Sequence, residues 1–199
     1  MSADSIETAR PGSAPLEGDS SRPGALEASL ERLRALLLAE GGLMASLVEA
    51  RSEGSVAQTQ SNGPAQLAAS GPRASGHGPD YELLMEMIYE GYLLHYGVSR
   101  VVRPGEEDLG LLAGDRLYAL GLARLVELGD IEAVAELADV ITLSALARAG
   151  ATPEMAEAVW MAGAHAVGWG PSAGYEDAKA LLRIGSPEAL EALRRLDPA

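Results

Sequence analysis

The side chains of this sequence whose types and spacing come closest to chemistry are His95, Asp115 and the glutamates Glu82, Glu86 and Glu90. An imidazole near a carboxylate could move a proton, and carboxylates four residues apart on a helix could gather a metal ion if they converge with other ligands. The glutamate spacing sets all three on one helical face, which the helical count turns toward water as a solvated stripe. Asp115 is placed differently. It falls among Leu111, Leu122 and Val126, on the apolar face of the stretch 109–129, where an unpaired carboxylate is costly to bury and must find donors or a cation. It is therefore expected to be structural, hydrogen-bonding across a helix interface. His95 shares a side with Leu84, Ile88 and Val102, so it reads as a hydrogen-bonded core histidine whose pKa depends on burial. His95 and Asp115 form the expected polar centre, with no catalytic residue and no metal ligand assigned.

Other chemical patterns fail on context. Residues 170–174, with Ser172 at their centre, match GxSxG, but a nucleophile elbow needs a strand feeding the turn and here a helix precedes it, so Ser172 reads as a helix cap. No HExxH, Glu-x-x-His or GxxxxGK[ST] is present, which leaves zinc-protease, di-iron and P-loop chemistry without their residues. His77 stands between glycines with no second ligand at a useful spacing. The absence of cysteine removes disulfides and thiolate chemistry. A formal charge of −14, from 15 Lys+Arg against 29 Asp+Glu, argues against nucleic-acid binding. The first residues lack a signal-peptide core, and no apolar run is long enough for a membrane span, so a cytoplasmic, soluble protein is expected.

The elements that must position these residues follow from periodicity. Residues 1–23 are polar and proline-punctuated and read as a disordered tail; 24–50 carry an amphipathic helix with Leu26, Leu30, Leu33 and Leu37, expected to dock on the domain or on a partner. Residues 51–79, rich in Ser, Gly, Pro, Gln and Ala, read as a flexible linker. An α-helical domain is expected over 80–199, starting with a long helix from Tyr81 to Val102 capped by Asp80. The next helix, 109–129, carries Gly110, Gly114 and Gly121 on one flank. Each glycine costs roughly 1 kcal/mol of helix propensity, so close helix–helix packing is expected there. Helices are also predicted from Ile131 to Ala149, with Ile131, Val134, Leu137, Ala138, Ile141 and Ala145 inward, from Pro153 with Thr152 as its cap, and after Ser172 and Ser186. No stretch alternates at period two. The fold class is all-α, a helical bundle.

Residues 111–129, with Ala113-Gly114-Asp115-Arg116-Leu117 at their start, resemble the helix of trans-isoprenyl diphosphate synthases that opens with an aliphatic-Gly-Asp-aliphatic signature. The preceding helix adds to the likeness. Catalytic members carry Leu-Ile-His-Asp-Asp-x-x-Asp there, which aligns with residues 93–100; the histidine matches as His95, while the aspartates become Tyr96, Gly97 and Arg100. In the family those aspartates hold magnesium against the allylic diphosphate, a task that tyrosine, glycine and arginine do not perform as hard oxygen ligands. Asp177 is a lone carboxylate. The likeness spans about residues 80 to 165 and implies a truncated isoprenoid-synthase fold. It is greatest to the small, non-catalytic component of two-component long-chain synthases such as heptaprenyl diphosphate synthase. It further implies a heteromer with a catalytic synthase, no cofactor of its own and magnesium only through that partner; a homodimer meets the need to cover the apolar helix equally well. Tyr92, Tyr118, Leu122 and Leu125 are expected to line either the subunit interface or the core beneath it, since the long helix is apolar over most of its circumference and needs cover. An all-α adaptor and a divergent prenyltransferase-like enzyme are the competing readings.

Overall fold

The computed structural model of the protein describes residues 24–49, 63–150 and 152–196. These residues form nine α-helices and one 3-10 turn, with no strand beyond a single antiparallel bridge between Val48 and Val102. The helices are α1 (Ala25–Glu40), α2 (Gly42–Leu47), α3 (Pro64–Ser70), α4 (Gly78–Tyr96), α5 (Glu107–Glu127), α6 (Ile131–Ala149), α7 (Pro153–Trp169), α8 (Ala173–Arg183) and α9 (Ala189–Arg194). The protein is an all-α bundle. None of the described helices is long and apolar enough to cross a membrane.

Two antiparallel helical pairs, α4/α5 and α6/α7, make the frame, and α3 packs on both α4 and α7. The contact with α7 is close because Gly71 and Gly168 meet backbone to backbone; a Cβ on Gly71 would lie 2.2 Å from the carbonyl oxygen of Gly168. The expected linker and domain start are corrected here. Residues 63–79 belong to the bundle, with Ala65, Ala68 and Ala74 almost fully buried; Pro64 at the first helical turn and alanine's high helix propensity let so small a segment form a helix with a face narrow enough for this contact. The tail 1–23 and the linker residues 51–62 lie outside the described residues.

Two apolar clusters hold the chain together. The larger joins α3, α4, α6, α7, α8 and α9 around Trp160, Ile88, Leu137, Leu143 and Tyr92. The smaller joins Leu33, Leu37, Met44 and Leu47 of α1 and α2 to Met87, Val101, Val102, Ala113 and Leu117. The amphipathic helix at 25–40 thus docks on its own domain, and its leucine stripe is the part that is buried. Within the chain, α4 is covered by α1, α3 and α5.

Local chemistry sets the helix ends. Asp130 caps α6 by accepting the Ala133 N–H at 3.0 Å, after Gly129 turns the chain at φ +80°. Ser172 caps α8 by accepting the Tyr175 N–H, which gives the GxSxG serine a plain structural job. Asp80 does not cap α4: the helix starts at Gly78, and His77 occupies the cap position. Thr152 precedes α7 without a capping bond, its hydroxyl donating to the Gly150 carbonyl instead. The inner face of α6 is rotated from the expected one. Ala133, Leu137, Val140, Leu143, Ser144 and Ala147 are buried, with Val140 packed so closely on Gly163 of α7 that a Cβ there would lie 2.1 Å from its Cγ2, whereas Ile131 is 60% exposed.

Candidate functional site

The helix α4 ends at Tyr96 rather than at Val102, and the reason is a carboxylate. Glu90 is fully buried, and its Oε1 accepts three consecutive backbone N–H groups, those of Arg100, Val101 and Val102, at 2.7, 2.6 and 3.1 Å. One side chain thereby satisfies three consecutive donors of the turn 97–103, which could not be helical and point at it at once. The guanidinium of Arg100 folds back over the same place. It donates to Glu86 Oε2 at 2.6 Å and to Glu90 Oε2 at 3.3 Å, and lies over the ring of Tyr89. Burial opposes the Arg100 charge, but the two carboxylates outweigh it and hold its pKa above the ordinary arginine value. Burial raises the pKa of Glu86, and Arg100 only partly offsets that.

The glutamates therefore do not form a solvated stripe. Glu86 and Glu90 are buried, while Glu82 is half-buried and pairs with Arg32 of α1 at 3.1 Å and with Gln66 of α3 at 3.2 Å. The three residues are a polar seam along which α1, α3 and the 97–103 turn attach to α4. A signal for this was present in the sequence. A helix apolar on all other sides must be covered on all sides, and its sole charged stripe is then buried with it. Arg100 was the cation within reach.

Asp115 departs from expectation in the other direction. Its side chain is 71% exposed, and Leu111 and Val126 beside it are also exposed. The buried flank of α5 is instead Gly110, Ala113, Gly114, Leu117, Gly121 and Leu125. The large apolar residues misled because the small ones carry the packing: α4 comes so close that a Cβ on Gly121 would stand 2.3 Å from Ile88 Cγ1, and one on Gly114 2.6 Å from His95 Nε2. Gly110 faces the ring of Pro104, not a second helix. Asp115 still reaches His95 across the two helices, with Oδ1 3.2 Å from Nε2, as an electrostatic approach rather than an aligned hydrogen bond. His95 is mostly buried and stacks on Tyr118 with ring centroids 5.4 Å apart.

An aromatic line continues from this point. Tyr96, Tyr92, Tyr89 and Trp160 follow one another at centroid distances of 5.4, 5.7 and 4.9 Å, and Arg148 donates to the Tyr92 hydroxyl at 2.8 Å. Tyr92 and Leu125 are buried in the main core, with Tyr118 and Leu122 packed against it, so of the two places open to these four residues they occupy the core. Of the three positions aligned with the family's aspartates, Tyr96 and Gly97 are exposed and Arg100 is turned inward. Among the described residues no group of three His, Asp or Glu side chains converges as a metal site. A further buried cluster lies away from these helices. Lys179 is 3% exposed and bonds Glu136, Asp139 and Glu176, which staples α8 to α6. No family model, curated protein or solved structure matches the chain.

Proposed function

We propose that the protein is a non-catalytic subunit that supports chain elongation by a catalytic polyprenyl diphosphate synthase. The observation that carries this reading is the arrangement of the α4/α5 pair. The two segments with family-like sequence pack directly on one another through Gly91, Gly114 and Gly121, yet Arg100 is committed to Glu86 and Glu90 where a metal-binding aspartate is needed. Such a pair keeps a helical scaffold without a diphosphate-binding metal centre of its own. The outward face of α5 suits a partner: Leu111, Leu112, Ala119, Ala123 and Val126 are exposed along it. Magnesium enters only through the partner's aspartates, and the subunit acts by shaping the space available to the growing tail.

Co-purification with the host's aspartate-rich synthase tests the reading. The expected result is a stable complex whose product is longer than that of the synthase alone, with no prenyl transfer by the isolated chain in magnesium. An adaptor function predicts a complex with an unrelated protein and no change in product length. Robust turnover by the isolated chain returns the enzyme reading.

A further inference from the structure

We propose, independently of the function above, that Lys179 is an acylation site gated by the fold: activated acyl donors reach it only when α8 has lifted from α6, and the amide they form keeps α8 from returning. The composition isolates this residue. Lys179 is the one lysine of the sequence, and the other basic residues are all arginines, whose guanidinium is not the target of acyl transfer that a lysine amine is. Lysine is ordinarily among the most exposed of side chains, yet this one is 3% exposed.

In the closed fold its chemistry is fully occupied. An ammonium has three N–H donors, and each finds a carboxylate: Glu136 Oε2 at 3.2 Å, Asp139 Oδ2 at 2.9 Å and Glu176 Oε1 at 2.7 Å. The Tyr175 ring covers another side, with Nζ 4.8 Å from its centroid. Acyl transfer needs the lone pair of a neutral amine, which the ammonium lacks. Burial alone would lower the Lys179 pKa, but the hydrogen bonds and charges of Glu176, Asp139 and Glu136 outweigh it and hold the pKa above the ordinary lysine value. The closed protein thus protects the amine twice, by access and by protonation.

The cage is divided between two helices. Glu136 and Asp139 belong to α6, while Lys179, Glu176 and Arg183, which bonds Asp139 at 2.8 Å, belong to α8. Gly170 at φ +92° and Gly185 at φ +68° flank α8, so the residues that bound it are those with the freest backbone. When α8 swings out, Lys179 keeps only Glu176 of its three carboxylates and can give its proton to solvent. The nitrogen lone pair then attacks the acyl carbon, the bond from that carbon to the leaving group breaks, and the leaving group departs with the electron pair. The resulting amide is neutral. Closing over it would return Glu136, 12% exposed, to its place without a cation, leave Arg183 to Asp139 alone, and add the bulk of an acyl group where the lysine already fills the space. Acylation is therefore a lasting mark on molecules that have opened.

The test uses the full chain. N-hydroxysuccinimidyl acetate is applied to the native protein and to the protein in urea, and acetylation of Lys179 is followed by mass spectrometry. The native rate should be slower than the denatured one by about a hundredfold or more, and should rise with urea below the unfolding transition with a slope smaller than that of global unfolding. A chain acetylated in urea and returned to buffer should exchange the amides of α8 about tenfold faster than a chain carried through urea without reagent, while α4 and α5 exchange alike in both. Native labelling within about threefold of the denatured rate overturns the proposal. So does labelling indifferent to urea, the mark of a side chain that escapes by itself, or labelling as steep in urea as global unfolding, which leaves α8 no opening of its own. Full recovery of α8 protection after acetylation likewise overturns it, since the amide would then not hold α8 away.

Discussion

Two acid–base pairings leave α4 within ten residues of each other, and they have opposite fates. Glu86 and Glu90 meet Arg100 inside the protein, where the 97–103 turn, α3 and α1 exclude water; His95 meets Asp115 at a surface where the carboxylate is 71% exposed. The first pairing determines the path of the backbone, since three N–H groups of the turn have Glu90 as their acceptor. The second only decorates a contact that glycines have already made. Charge in a helical bundle matters to the fold in proportion to the solvent it displaces and the backbone groups it satisfies, not to its conspicuousness in the sequence.

The largest effect that can break this contrast is expected from Glu90→Ala. It strands the N–H groups of Arg100, Val101 and Val102 and half of the Arg100 guanidinium, so denaturant unfolding should show a loss of about 3–5 kcal/mol. A loss comparable to that of a surface substitution would mean that water reaches the turn. Arg100→Met should cost somewhat less, about 2–4 kcal/mol at neutral pH, and its cost should depend on pH. The sign follows from Glu86. A carboxyl whose pKa is raised on folding contributes stability that is complete below its unfolded value and is lost as pH rises through the folded value, and removing Arg100 raises that folded value further. The gap between Arg100→Met and the parent should therefore narrow on acidification toward pH 4, as urea melts at a series of pH values would report.

Asp130 supplies the opposite slope for comparison. Burial alone would raise its pKa, but the Tyr81 hydroxyl, the Ala133 N–H and Arg73 together hold it below the usual aspartate value. Tyr81 is itself pushed up to about 12, first by burial and then by this carboxylate. A lowered carboxyl contributes stability above its unfolded pKa that is lost as pH falls through the folded one, so Asp130→Asn should flatten the acid limb of the parent's pH–stability curve below about pH 4. The smallest effect belongs to Asp115→Asn, for which thermal melts should show a change within about 0.5–1 kcal/mol, as for other exposed pairs. A loss of several kcal/mol there would place Asp115 back in a buried network and erase the distinction between the two pairings.

How much of this could be read from the chain depends on what kind of residue carried the signal. The all-α class, the stop at Gly129 and the cap at Asp130 were legible because they are local: period, a left-handed glycine and a short acceptor act within a few residues. The close α4/α5 approach was legible in Gly114 and Gly121, whose cost in a helix has to be offset by a contact. The end of α4 was not, because its cause is a hydrogen-bond acceptor ten residues upstream in the same helix. The helical stretch 63–79 was also hidden, since its buried residues are mainly alanines and a glycine, whose composition resembles that of a linker and whose value lies in smallness rather than in hydrophobicity. For the polar pairs the helical count gave faces but not environments. It put Asp115 inside and the glutamates outside, and the packing of α1, α3 and α5 reversed both.

The meeting of Gly71 with Gly168 carries a consequence for the order in which the protein can be made. The smaller apolar cluster uses nothing beyond Leu120, so α1, α2, α4 and α5 can settle as soon as the chain has been synthesised that far. The larger one cannot, since α3 finds its second wall only when α7, which starts at Pro153, exists. Closing that span is a non-local step whose entropic cost precedes its reward. During synthesis the early half thus stands finished on one side and open on the other, with Ala65, Ala68 and the inner side of α4 uncovered until the second half arrives. Chaperone demand, sensitivity to truncation and the slow phase of refolding should all concentrate on that interval.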